Sequence, residues 1–535
     1  MPPLSGQLQP PSGQAPQEDS PPRRARRAWV ALAWLAAAAA LFTVFLRVSL
    51  TEAVSSDSAN NGLQAWDMLH GHLLLHGWII GDATYYTFDL PVIALTEVFF
   101  GLHTITMHVA VSLIYLIVTA LAVAIAVTGS RGASRAIRAA VVVAVLSAPL
   151  LIPSDRWITL GFPDHTGTIV FLLVSCLLID RAPARRFTAP LLCVILVAGQ
   201  LGDVTVRYVT VPAIILVCAY RYLVARKLVT CDAVNLIAAV AALPLATLAR
   251  KAMLHFGSYV MISPKTKIAP VSQWSHNLKL TWLSLRELFG AQPAPAQAGG
   301  AGLIFGYACL LVAAAGIVVA LWRWRTASRA EQVLLAAIVC NLGVYVISTL
   351  PGNNSPHDIL TVLPASAILG ARALVPARVA SGATALAVTA VAMVAALLPM
   401  SLVAAHPPAV ARWTNLTAWL RQQGLDYGLG SYWDSSSITL LSGNQVRVRP
   451  VKLTGGEITL FPWETNSLWY DASGNYANFV IVGVGKSDLS PQAERVFGKP
   501  ARIHHQGMWD VLIFRNAIRR FSSQECYMTV CTIRF

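Results

Sequence analysis

Four short stretches of this 535-residue chain place ionisable side chains where they could act on a substrate. The first, VSSDSANNGLQAWDMLHGH from Val54, sets Asp57 a few residues beyond an apolar run. A carboxylate held there is suited to taking a proton from an acceptor hydroxyl. It also sits among serines before a helical pattern, where Asp is a favoured N-cap. The second, RWITLGFPDHTG from Arg156, carries Asp164 and His165. These residues either cap the next helix or form one wall of a cleft shared with Asp57. The third, GQLGDVTVRY from Gly199, spaces Asp203 and Arg207 i,i+4, which predicts an ion pair on one helix face in either a structural or a substrate-facing role. The fourth is a group of cations, Arg250, Lys251, Lys265, Lys267, Lys279 and Arg286, in or beside one polar segment. They suit a phosphate or anionic lipid headgroups equally. His70, His72 and His76 are spaced i, i+2, i+6 and do not share a helix face, so they read as interfacial, hydrogen-bonded histidines rather than a metal site. A divalent cation held by Asp57 and Asp164 is compatible with these residues. No phosphate-binding P-loop, H-E-x-x-H or strand-borne G-x-S-x-G occurs, and nothing suggests coupling to ATP.

The elements that must position these groups are membrane helices. Only 12% of the residues are charged, 56% are hydrophobic and the mean hydropathy is +0.58. That composition excludes a soluble enzyme and a disordered chain and predicts a polytopic membrane protein. Apolar runs near 28–50, 105–128, 139–152, 166–180, 189–201, 208–224, 232–250, 302–322, 332–350, 359–373 and 381–404 predict about 11 spans. The net charge is +15, from 40 Lys+Arg against 25 Asp+Glu. Its distribution argues for topology rather than nucleic acid. With the N-terminus inside, the cytoplasmic loops hold Arg131, Arg135 and Arg138; Arg181, Arg185 and Arg186; Arg221, Arg226 and Lys227; Arg323, Arg325 and Arg329; and Arg372 and Arg378. Asp57, Asp67, Asp82, Asp89, Asp155, Asp164, Asp203 and Asp358 then fall outside.

Residues 1–27 read as a disordered cytoplasmic tail, 28–404 as the membrane domain with long outer loops at 51–104 and 251–301, and 405–535 as an extracytoplasmic α+β domain. The first outer loop is expected to lie in the interface with Trp66, Trp78, Tyr85 and Tyr86 at headgroup level. In the last domain Trp433, Trp463, Trp469 and Tyr470 either stack on a sugar or form core. Cys526 and Cys531 either pair or remain thiols.

This arrangement resembles the GT-C glycosyltransferases, in particular the protein mannosyltransferase and aminoarabinose transferase branch. The residues that carry the likeness are Asp57 beyond the first span, WDMLHGH from Trp66, YYTFDLP from Tyr85, FFGLHT from Phe99 and the stretch HDILTVLPASAILGARAL from His357. The likeness covers about 30–405. The first acidic motif reads Asp-Ser where the family commonly has two acids. The Ala/Arg-rich, Lys-poor usage is similar to that of a high-GC actinobacterium. The resemblance implies a plasma-membrane enzyme that moves a sugar from a polyprenyl-phosphate donor to an extracytoplasmic protein, lipid or polysaccharide, with inversion and with Asp57 as general base. It implies that Asp164 and His165 orient the acceptor or hold a cation, and that Asp203, Arg207, Arg250, Lys265, Lys267 and His357 bind substrate, with Arg250, Lys265 and Lys267 meeting the donor phosphate. The alternatives are a non-catalytic binder of a lipid-linked glycan, a transporter or a flippase. A transporter usually places ionisable groups near the middle of its spans and shows repeated halves. The acids here cluster at predicted helix ends, and no repeat is evident.

Overall fold

The computed structural model describes residues 23–534 except 82, 154, 162–163, 182–186, 226–229, 263–266, 293–299, 354, 380–381, 455–456, 472–475, 484–488, 519–521 and 528–529. Asp82, Lys265, the tail 1–22 and most of the Pro/Ala/Gly linker therefore lie outside the described residues. Every one of the eleven apolar runs is helical. In chain order the membrane region comprises α1 (Arg23–Ser49), α2 (Ser56–Leu69), β1 (Trp78–Ile80), α3 (Asp89–Phe100), α4 (Thr104–Val127), β2 (Arg131–Gly132), α5 (Ser134–Ser147), α6 (Thr168–Arg181), α7 (Thr188–Gly202), the single turn α8 (Thr205–Tyr208), α9 (Thr210–Ala225), α10 (Thr230–His255), β3 (Val260–Met261), α11 (Val271–Leu288), α12 (Gly300–Trp322), α13 (Arg329–Ile347), α14 (Val362–Leu374), β4 (Arg378–Val379) and α15 (Ala383–Ala404).

Among the described residues, eight helices are long and apolar enough to cross a membrane alone. They are Ala31–Ser49, Thr104–Val127, Ser134–Leu151, Thr205–Val224, Cys231–His255, Gly300–Trp322, Arg329–Ile347 and Ala383–Ala404. The other three apolar runs are shorter. α6 and α7 have 14 and 15 residues, and α14 has 13, with Val362–Ala371 buried inside the bundle. A perpendicular crossing takes about 20 residues.

α2 and α3 form within residues 51–104, where the sequence has helical stretches, and α11 forms from LKLTWLSLRELFG and the residues before it. Trp78 departs from its expected place. It is fully buried in β1, its indole N–H donates to Asp67 Oδ2 at 2.7 Å, and Trp469 packs edge-on against it with centroids 4.9 Å apart. A buried indole needs a partner for its N–H, and Asp67 supplies one.

The C-terminal region is strand-rich. It comprises α16 (Thr414–Gln422), β5 (Tyr427–Gly430), α17 (Tyr432–Leu441), β6 (Arg447–Thr454), β7 (Glu457–Leu460), β8 (Thr465–Asn466), β9 (Ala477–Gly483), α18 (Leu489–Phe497), β10 (Arg502–Gln506), β11 (Trp509–Ile518), β12 (Ser522–Tyr527) and β13 (Val530–Arg534). The sheet runs β10-β11-β9-β5-β6-β7-β13-β12, with β5 parallel to both neighbours. Alternation along β9 sends Phe479 and Ile481 to one apolar layer and Val480 and Val482 to the other. Backbone register sets Cys526 opposite Cys531.

This region is stitched to the segments 51–104 and 251–301. β8 pairs antiparallel with β1, which pairs parallel with β3, and Ile79 of β1 joins the core of the C-terminal sheet. Glu464, at φ 46°, accepts from Gln64 Nε2 at 2.6 Å and from the Gly81 N–H at 2.9 Å. α17 packs on α2, and Leu440 of α17 belongs to the same apolar cluster as Ala59 and Leu63 of α2.

Candidate active site

The sequence around Asp57 builds a helix start whose cap is Ser55, with its hydroxyl accepting from the Ser58 N–H at 3.2 Å. Asp57 lies in the first turn and is not needed as a cap. Its carboxylate accepts from the Tyr432 hydroxyl, which comes from the first residue of α17. Burial pushes the Asp57 carboxyl up from the ordinary aspartate value; nearby Asp164 adds to this, while the Tyr432 hydrogen bond and His357 oppose it.

The loop before α6 carries the second group. Asp164 is buried, and it too is not spent on a cap. Its Oδ1 accepts from the Tyr85 hydroxyl at 2.9 Å, and its Oδ2 lies 3.3 Å from His357 Nδ1. His165 Nε2 is 3.6 Å from Asp164 Oδ1 and 3.6 Å from Asp358 Oδ1, and its Nδ1 is 2.5 Å from Asp203 Oδ2. The His165 and His357 rings stack, with centroids 5.7 Å apart and planes 10° from parallel, and Trp157 meets His357 edge-on. Tyr85 and His165 hold positive φ, 54° and 56°, a strained conformation for bulky residues of the kind that concentrates at functional sites.

Asp203 ends α7 with an extended backbone and accepts from the Thr205 N–H at 2.7 Å, the Thr168 hydroxyl and His165. The expected Asp203–Arg207 ion pair does not form. Asp203 turns inward to His165 because α7 has already ended, and Arg207 is exposed on the next turn. Burial alone would disfavour charge on both partners. The attraction of Asp203, Asp164 and Asp358 nevertheless holds the His165 imidazole well above its ordinary value, and the same pairing with His165, aided by Thr168 and Thr205, holds Asp203 below its own. The Asp358 carboxyl is pushed up, chiefly by burial.

Asp89, at the start of α3, is as deeply buried as Asp203. Burial, with Asp203 adding, pushes it up to about 8, and its Oδ1 has no hydrogen-bond partner. Gly167 leaves room for it. A Cβ there would come 2.2 Å from Asp89 Oδ2.

Asp164, His165 and His357 offer one ligand atom each, all within 4.8 Å of one another, the only such trio among the described residues. Two imidazoles and a carboxylate suit a divalent transition metal, and Asp203 on His165 Nδ1 would be the carboxylate that orients a metal-bound histidine. The expected pairing of Asp57 with Asp164 as ligands is not the trio that the geometry assembles.

The structure thus gathers Asp57, Asp164, His165, Asp203 and His357 at one end of the bundle. Among the described residues, the expected cations Arg250 and Lys267 make other contacts. Arg250 lies over the Tyr259 ring at 4.0 Å and donates to the Tyr259 carbonyl at 2.8 Å. Lys267 is exposed, and its backbone pairs with Thr349. His70 and His76 bond backbone carbonyls of Trp66 and Gly257, at 2.7 and 2.9 Å. Sequence reasoning missed Asp89, Tyr85 and Thr168 as parts of the site. The motif from Tyr85 held the first two, whereas nothing local marks Tyr432, which is 375 residues from Asp57.

No protein-family model and no curated protein matches the sequence. Solved structures do. ArnT from Cupriavidus metallidurans bound to undecaprenyl phosphate aligns with a TM-score of 0.54 at 13% identity, over 91% of this chain and 98% of that one. The archaeal oligosaccharyltransferase AglB from Archaeoglobus fulgidus, in complex with an inhibitory peptide and a dolichol-phosphate, aligns at 0.42 and 14% identity over 85% of this chain and 70% of its own. The mycobacterial arabinofuranosyltransferase AftD aligns at 0.41 and 16% identity over 84% and 36%. The chain thus shares the fold of ArnT, a polytopic helical bundle with a strand-rich C-terminal region, along nearly the whole length of both chains.

Proposed function

We propose that the chain is a membrane glycosyltransferase that moves a sugar from a polyprenyl-phosphate donor to an acceptor hydroxyl outside the cytoplasm, with Asp57 as general base. The observation that carries the reading is the grouping of Asp57, Asp164, His165 and His357 at one end of a bundle of this fold, beside the two interfacial helices. The carboxylate of Asp57 takes the acceptor proton. The acceptor oxygen forms a bond to the anomeric carbon, and the sugar–phosphate bond on the opposite face breaks. The phosphate oxygen leaves with the electron pair, so the configuration inverts and polyprenyl phosphate is the second product. His165, which its three carboxylates favour as a cation, and His357 stabilise the negative charge that builds on the leaving group. If a divalent metal occupies the trio Asp164, His165 and His357, it supplies Lewis-acid stabilisation there. Arg250, expected at the donor phosphate, instead supports β3 through Tyr259. In this reading the N-terminus is inside and the cluster and C-terminal region are outside, which the arginines between the apolar runs support.

The test is transfer by isolated membranes. Wild type and Asp57→Asn are incubated with radiolabelled sugars on undecaprenyl phosphate and with cell-envelope extract. Label enters a non-donor product with wild type, and the variant loses at least about a hundredfold of that rate. Undiminished transfer by well-inserted Asp57→Asn removes the carboxylate from the base role.

A further inference from the structure

The hydrogen bond onto Asp57 originates in the C-terminal region, and it is part of a built contact. Tyr432 is buried, and Phe461 stacks on its ring with centroids 4.7 Å apart and planes 27° from parallel. Asn60, one turn after Asp57 on α2, donates through Nδ2 to the Tyr432 oxygen at 3.3 Å and accepts from the Ser436 hydroxyl at 2.6 Å. Ser56 donates to the Trp433 carbonyl at 2.7 Å and lies 3.2 Å from the Ser437 hydroxyl. The first two turns of α17 are thus bonded, residue by residue, to the first turns of α2. With Asn60 donating to its oxygen, the Tyr432 hydroxyl has one proton left to give, and Asp57 receives it.

We infer that Tyr432 is a positioning residue for Asp57, so that the C-terminal domain holds the carboxylate in its orientation and in its proton-accepting form. The inference rests on the reading of Asp57 as the base. Physically, a phenol that donates to one carboxylate oxygen leaves the other for the acceptor proton, and it favours the ionised state against the burial that opposes it. The base is then competent only when the C-terminal domain is seated on α2. Transfer becomes dependent on a contact made between segments far apart in sequence.

Tyr432→Phe tests this, because it keeps the ring against Phe461 and removes only the hydroxyl. The first readout needs no substrate. Purified full-length protein in detergent is labelled with a water-soluble carbodiimide and glycine ethyl ester, which modify protonated carboxyls. The pH midpoint for the peptide carrying Asp57 is read by mass spectrometry. It is expected to lie about one unit higher in the variant than in wild type. The second readout is sugar transfer from the same undecaprenyl-phosphate donors. Its rate is expected to fall roughly ten- to a hundredfold at neutral pH, with the acidic limb of the pH profile moved upward by the same amount. An unmoved labelling midpoint in the variant, with Asp57→Asn inactive, overturns the inference and leaves the base reading intact. Undiminished transfer by Asp57→Asn overturns the base reading, and the positioning role with it, whatever the midpoint.

Discussion

Asp89 shows what burial does to a carboxyl when a nearby cation, His165, offsets it only in part. It lies between Gly167 and the Asp203–His165 pair, and it is pushed up to about 8. In the unfolded chain it has the ordinary value, 3.8. Between these values the folded protein holds a proton that the unfolded chain does not. Its stabilising contribution is therefore complete below pH 3.8 and is lost as the pH rises through about 8. Asp89→Asn removes that dependence. The melting temperature of wild type in detergent is expected to fall by a few degrees more than that of Asp89→Asn between pH 5 and pH 9. Parallel curves would mean that Asp89 titrates as an exposed acid does.

Helix packing explains which small residues the bundle requires. α12 crosses α14 at a distance that admits no side chain: a Cβ on Gly316 would stand 2.2 Å from the Gly370 nitrogen, and one on Gly370 would stand 2.8 Å from the Val312 carbonyl oxygen. Close backbone approach of this kind is how membrane helices gain packing without a hydrophobic driving force. Gly316→Val is expected to destabilise the purified protein by about 1–3 kcal/mol in chemical denaturation. Gly343→Ala on α13 meets nothing within 4 Å and serves as the neutral control. The arginines at the opposite end of the bundle from the acidic cluster also act between elements. Arg138 donates to the Val375 carbonyl at 2.8 and 3.1 Å and to the Ala126 carbonyl at 3.0 Å, and Arg372 donates to the Ile125 carbonyl at 2.9 Å. Helix ends leave such carbonyls unpaired, so these side chains satisfy helix C-termini.

At the scale of the molecule, the C-terminal region and residues 51–104 form one structure. Trp78 and Ile79 are buried partly by residues beyond 426, β1 pairs with β8, and α2 is covered by α17. A chain ending at residue 410 exposes those side chains and removes the partners of Gln64, Gly81 and Asp57. The truncated protein is expected to insert in membranes, to be cleaved within 51–104 by added protease while wild type resists, and to have lost transfer. Unchanged protease resistance of that loop would make the C-terminal region an appendage.

The sequence by itself determined the helices, the small strand-rich domain and the segments that carry the acids. The bilayer reads hydropathy locally, residue by residue, so eleven apolar runs became eleven helices without reference to one another. It also named Asp57, Asp164, His165, Asp203 and His357, because turn residues and acids at helix ends stand out against an apolar background. Tertiary structure decided the pairings. Asp203 took His165, 38 residues away, rather than Arg207 on the next turn, and Trp78 left the interface for the core beneath Trp469. Asp57 met a tyrosine from the far end of the chain. Which donor reaches a buried carboxylate depends on how helices and sheet come together, and no local property of the chain encodes that.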